Sequence, residues 1–232
     1  MLSLDNHKAL PYNDNLVSEL CFKEAVYVAH GTYDDTHQRI FDSGMKMFLA
    51  NGYERTNLRD LCADAGITTG SFYRHFTGKE DLFSFFVQPA VDEINKLFED
   101  CELRCREAVK TGDARNLWNL VEVKEILDYI YRHFDRLKLL LKCADGTKYS
   151  GFLNEVVCME ADISLQSLRE AKAHGLLSAN LPSEIEMHMI CHAYISSLFE
   201  AVLHDLNRED MEKYVCTIVD FFTAGAYKIL GL

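Results

Sequence analysis

Between Ile40 and Phe83 the chain is cut by Gly52, Gly66 and Gly78 into pieces too short to fold alone, and this limits what it can build. Ile40, Gly44, Met47 and Phe48 sit at i, i+4, i+7 and i+8, one face of a helix that starts at Asp34 or Asp35 and ends at Asn51-Gly52. Thr56-Asn57 offers the N-cap of a second helix, with Asp60 placed as in a capping box and Leu58, Leu61, Cys62 and Ala65 on its apolar face. Gly66 stops it. Thr68 then caps a third helix in which Phe72 and Phe76 share a face. Isolated helices of about two turns are unstable in water, so both short helices must be held by their neighbours.

Thr77-Gly78-Lys79-Glu80 reads as a further capping box, opening a long fourth helix to about Lys110 with Pro89 as a kink or interruption. Two short helices joined through Gly66 fit a helix-turn-helix, whose second helix enters the DNA major groove. In that arrangement Ile67, Phe72 and Phe76 point inward and the residues between them face DNA. Thr68, Thr69 and Ser71 carry small hydroxyls near the helix N-terminus, and Gly70 lets the backbone approach. Tyr73 and His75 are placed to donate to phosphate, and Arg74 to reach phosphate or a guanine edge. Lys79, unfavourable beside its own helix N-terminus, gains a reason to be there from a phosphate partner. Thr56, at the head of the second helix, completes the expected DNA surface.

The stretch "TGSFYRHFTGKEDLF", preceded by "RIFDSGMKMFLANGYERTNLRDLCADAGI", resembles the DNA-binding domain of the TetR family of bacterial transcriptional repressors. About 50 of the 232 residues carry the resemblance, in order and without gaps. It implies a symmetric dimer, an operator with two half-sites, and a divergent helical C-terminal domain that binds a small molecule and thereby weakens DNA binding. Gly44 departs from the family's usual alanine, which costs up to about 1 kcal/mol of helix stability unless it permits close packing. Gly78 stands for a more usual serine, and Asp34-Asp35 and Thr69 stand where basic residues are common, which implies modest non-specific affinity for DNA.

Beyond Gly112, helical periodicity predicts helices over roughly 114–133, 134–144, 151–174, 183–206 and 208–230, with breaks at Asp145-Gly146, Gly175, Leu181-Pro182 and Asn207. The expected architecture is all-α: an N-terminal three-helix helix-turn-helix bundle (34–78) joined through the long helix to a helical effector-binding and dimerisation domain (79–232), with residues 1–33 as an extension holding one helix. The last two helices are apolar on more than one side and need a partner surface, read here as a second copy of the chain. Trp118, Tyr129, Phe134, Met159, Met189 and His192 are the candidates for lining an effector cavity between helices. Each serves equally well as ordinary core.

The formal net charge of −12 argues against indiscriminate nucleic-acid binding, but residues 36–86 carry six acids and six bases, so a small, directed DNA surface belongs there. The eight cysteines lie among apolar positions and no signal-peptide pattern opens the chain, which places reduced thiols in the cytoplasm. No apolar run reaches the roughly 20 residues of a membrane span. No phosphate-binding glycine loop, nucleophile elbow or His-Glu-x-x-His occurs, so neither an enzyme nor a bound cofactor is expected. Two alternatives stay open: a regulator responding to metal or thiol oxidation through His188/His192 or Cys101/Cys105, each at i, i+4, and a helical small-molecule-binding module without DNA binding.

Overall fold

The computed structural model describes residues 33–113 and 123–231. All but the last residue of the expected N-terminal extension, and Trp118, lie outside them. The described residues form helices and no strand: α1 (Tyr33–Arg55), α2 (Leu58–Asp64), α3 (Thr69–Phe72), α4 (Lys79–Thr111), α5 (Val123–Arg132), α6 (Phe134–Lys142), α7 (Phe152–Ala173), α8 (Glu184–Leu203) and α9 (Arg208–Leu230). The protein is all-α, as its periodicity requires. Ser183 closes a full capping box with Glu186 at the start of α8, and Asn207 caps α9 by accepting the Asp210 N–H.

The start of α4 differs from the expected box. Gly78 occupies its N-cap without a side-chain bond, and the Thr77 N–H and hydroxyl both donate to Asp81 Oδ2, at 2.8 and 3.1 Å. The helix also continues through Pro89 rather than ending there. A proline lacks only its own N–H, and the apolar residues on either side, Phe86, Val87, Ala90 and Ile94, are all buried, so packing holds the helix together across the missing bond.

Residues 36–232 pack as one unit, with α4 running through a single continuous core. Its first turns bury Leu82, Phe83 and Phe86 against Ile40 and Phe48 of α1. Its later turns pack on α6 and α7, while α8 lies between α7 and α9, and α9 reaches α5. The Tyr53 N–H donates to the Cys143 carbonyl at 2.9 Å, joining the end of α1 to the end of α6, and the Tyr149 hydroxyl donates to Gln88 Oε1 at 2.7 Å. On the far side of α4, Glu93 binds both Arg132 and the buried His133, whose Nε2 is 2.9 Å away.

At Gly44, α1 and α4 approach each other closely. A Cβ built there would lie 2.9 Å from Leu82 Cδ2 and 3.1 Å from Phe86 Cε2, both on fully buried side chains. The helix propensity given up by glycine is therefore offset by close packing. Gly44→Ala is expected to destabilise the fold by about 1–3 kcal/mol, although alanine is the better helix former. A denaturation midpoint above that of the wild type would refute this assignment.

Candidate nucleic-acid interface and internal cavity

The candidate recognition segment is built from very short helices braced from behind. Asn57 Oδ1 accepts the Arg59 N–H at 2.8 Å to start α2, and Gly66, at φ +64°, makes the turn out of it. Thr68 Oγ1 then accepts the Ser71 N–H at 3.1 Å to start α3. Asp64 fixes the turn to α1, accepting from Ser43 Oγ at 2.8 Å and Lys46 Nζ at 2.5 Å. These bonds, with Lys46 the larger influence, hold its carboxyl below the usual range.

Phe72 is fully buried and Phe76 nearly so, as the i, i+4 spacing requires. Thr68, Thr69, Gly70, Tyr73 and Arg74 are exposed on the opposite side, with Tyr73 58% exposed. Ser71 and His75 are half-buried at its margin. The His75 ring lies 5.6 Å from that of His37, which itself stacks on Phe76 at 5.1 Å. Burial, then the charges of His37 and Arg74, lower the His75 pKa, which favours its neutral form. Arg59, exposed on α2, is a cation that the motif reading passed over.

Two expected DNA contacts are placed elsewhere. Thr56 is buried, and its hydroxyl donates to the Gly52 carbonyl at 2.7 Å, closing the end of α1. Lys79 Nζ donates to the carbonyls of Tyr53 at 2.7 Å and Thr56 at 2.9 Å and sits 4.1 Å from the Tyr53 ring centroid. Its cation meets the negative end of α1, the favourable end for a lysine, and that accounts for a base beside the N-terminus of its own helix. Burial lowers its pKa.

A second feature is a partly open cavity of about 110 Å³ lined by α4, α5, α7, α8 and α9. Its wall is mostly aliphatic and aromatic, including Phe98, Ile126, Ile130, Ile195 and Phe199. Among the expected effector residues, Tyr129 lines it and donates its hydroxyl to the Ala90 carbonyl at 3.1 Å. Phe134 and Met159 pack on the core away from it, and Met189 and His192 face outward. The reason is rotational: α8 turns Met187, Cys191, Ile195, Leu198 and Val202 inward, and that stripe leaves Met189 and His192 on the outer side. His188 and His192 have ring centroids 6.5 Å apart, and no group of three or more His, Cys, Asp or Glu suited to a metal ion occurs among the described residues.

Sequence reasoning missed the polar residues of this cavity. Glu160, from the run "VVCMEADIS", is the single acid among the described residues of its wall, and Ser164 Oγ donates to its Oε1 at 3.2 Å. Burial raises its pKa, opposed by the Ser164 bond. Cys101 also lines the cavity, where hydrogen bonding with Cys105 and burial push its thiol up. Tyr194 completes the polar side, its pKa likewise raised by burial. Glu160 falls four residues after Val156 and three before Ile163, on the apolar stripe of α7, whereas Asp162 falls off it; an acid on that stripe is the signal that could have marked this site.

Comparison with known proteins agrees with this geometry. The family of bacterial regulatory proteins designated tetR matches residues 40–84, from the middle of α1 to the first turn of α4. The HTH-type transcriptional regulator AcrR of Shigella flexneri is 26% identical over 202 residues, covering 81% of this chain and 89% of that one. The probable acrEF/envCD operon repressor of Escherichia coli K12 is 24% identical over 195 residues, covering 80% and 84%. Among solved structures, SCO3833 from Streptomyces coelicolor A3, a member of the TetR transcriptional regulator family, superposes with a TM-score of 0.56 at 19% identity, covering 80% of this chain and 90% of that one. No described helix is long and apolar enough to cross a membrane. The matched helix-turn-helix at residues 40–84, relatives aligned through the C-terminal helices and a shared all-helical fold together make this chain similar to the TetR family of transcriptional regulators.

Proposed function

We propose that this chain is a cytoplasmic, homodimeric repressor that binds a palindromic operator and is released from it by a small molecule. Residues 34–78 form the DNA-binding part, and residues 79–232 the effector-binding and dimerisation part. The observation that carries the reading is the two-sided recognition segment, with buried Phe72 and Phe76 behind and exposed Thr68, Thr69, Gly70, Tyr73 and Arg74 in front. Ser71 and His75 border that face, and Arg59 adds a cation beside it. Thr69 and Ser71 read bases, while Tyr73, His75 and the two arginines hold phosphate. The relative from Escherichia coli is named as an operon repressor, which supports repression here.

The test is binding to DNA upstream of the protein's own coding sequence, measured by anisotropy across a salt series. The complex is expected to be sequence-specific and salt-sensitive. Arg74→Ala should weaken binding to every sequence tested and reduce the salt slope by about 0.9 if it holds one phosphate. Thr69→Ala should instead change which bases are preferred. Absence of any specific complex, with and without candidate effectors, would remove the DNA-binding reading.

The internal cavity supports small-molecule control because it opens against α4, which also carries the first turn behind the recognition segment. A ligand that favours one tilt of α4 shifts the separation of two recognition helices that must meet half-sites about 34–36 Å apart. Dimerisation is assigned to α8 and α9. Of the seven most exposed large apolar side chains among the described residues, four lie there: Ile185, Met189, Phe221 and Ile229.

A further inference from the structure

We propose that the cavity between α4, α5, α7, α8 and α9 takes an organic ammonium ion with an apolar body, its nitrogen paired with the Glu160 carboxylate. The inference rests on the effector reading above and adds the chemical class. Three observations carry it. Most of the wall is aliphatic or aromatic, so the ligand must be largely apolar too. Glu160 is the acid in that wall, and no lysine, arginine or histidine among the described residues lines the cavity with it. The remaining polar groups are suited to shape a carboxylate site, not to neutralise it: Ser164 donates to Oε1, the Tyr129 hydroxyl is engaged by Ala90, and the Cys101 thiol by Cys105.

The groups that face Glu160 from the packed helices are the thiols of Cys101 and Cys105 on α4, Cys191 and the Tyr194 hydroxyl on α8, and Ser164 on its own helix. None supplies a positive charge. An ionised carboxylate in such a place is costly, which is why burial favours its protonated form in the empty protein. An entering ammonium ion reverses that preference. The carboxyl gives its proton to solvent, the carboxylate pairs with the ammonium, and up to one proton is released for each ligand bound, according to how much of Glu160 is protonated beforehand. Affinity for the amine therefore rises with pH, up to about tenfold per unit, until Glu160 is ionised in the empty protein.

The experiment uses the full chain, titrated calorimetrically with 1-naphthylmethylamine and with the neutral 1-naphthalenemethanol, in buffers of different ionisation enthalpy. The amine is expected to bind about 10- to 100-fold more tightly. Its binding should release protons, and the alcohol's should not. Glu160→Gln, checked by thermal melting, should remove both the preference and the proton release while leaving the alcohol's affinity within about threefold. Equal affinities for the two compounds, unchanged in Glu160→Gln, would overturn the ammonium assignment and leave an apolar effector cavity standing. Binding of neither compound would count against the cavity as a ligand site.

Discussion

Phe72→Ala should abolish the proposed operator binding and lower the stability of the whole chain by about 3–5 kcal/mol. The stability loss follows from a ring that is fully buried against the bundle and from a cavity that cannot easily collapse. The functional loss follows from length. The helix it belongs to spans only Thr69–Phe72, and an isolated helix of that size has no stability of its own. Its position is fixed by Phe72 together with Phe76, whose ring centroid is 5.7 Å away. Native folding energies are about 5–15 kcal/mol, so the variant should retain some folded population at low temperature while the recognition segment loses its place. Chemical denaturation measures the first effect and DNA anisotropy the second. Phe72→Leu, which keeps most of the apolar volume, should recover much of both. A variant as stable as the wild type that still failed to bind DNA would instead put the ring at the DNA itself.

Phe221→Asp should convert the protein from a dimer to a monomer and weaken operator binding by about 10²–10⁴-fold, the loss expected when two linked half-site contacts become independent. Phe221 is 70% exposed and stands at an apolar groove with Pro182, Met187, Ile190 and Ile229. A single chain leaves that surface in water, and in the proposed dimer a second copy applied by twofold symmetry would cover it with the same surface. A carboxylate at the centre would be buried without a partner, which is among the most costly changes an interface can suffer. Light scattering gives the mass directly. A dimer that survives the substitution would move the interface away from α9. Retained stability of the monomer by thermal melting would separate loss of assembly from loss of fold.

The parts of this structure that were legible in the sequence are those decided locally. Helix boundaries follow from Asn57, Thr68, Ser183 and Asn207, whose side chains cap the helix that begins beside them. The inward pair Phe72 and Phe76 follows from spacing alone. Interactions between residues far apart in the chain were not legible. Lys79 reads as a phosphate ligand until its bonds to carbonyls 26 and 23 residues earlier are seen. Thr56 reads as exposed until its hydroxyl is found closing α1. The cavity was misplaced for a related reason: on α8, apolar residues occupy nearly the whole circumference, so periodicity could not say which stripe faces in. Glu160 was passed over because one acid in a helix is ordinarily solvated, and only the surrounding helices make it exceptional.

The bond from the Tyr53 amide to the Cys143 carbonyl has its own consequence. An amide held within one helix exchanges its hydrogen whenever that helix frays, but this one is protected only while two distant parts of the chain stay together. Its exchange rate therefore times the parting of the reading head from the body behind it. One backbone proton thus serves as a built-in gauge of how often the two come apart.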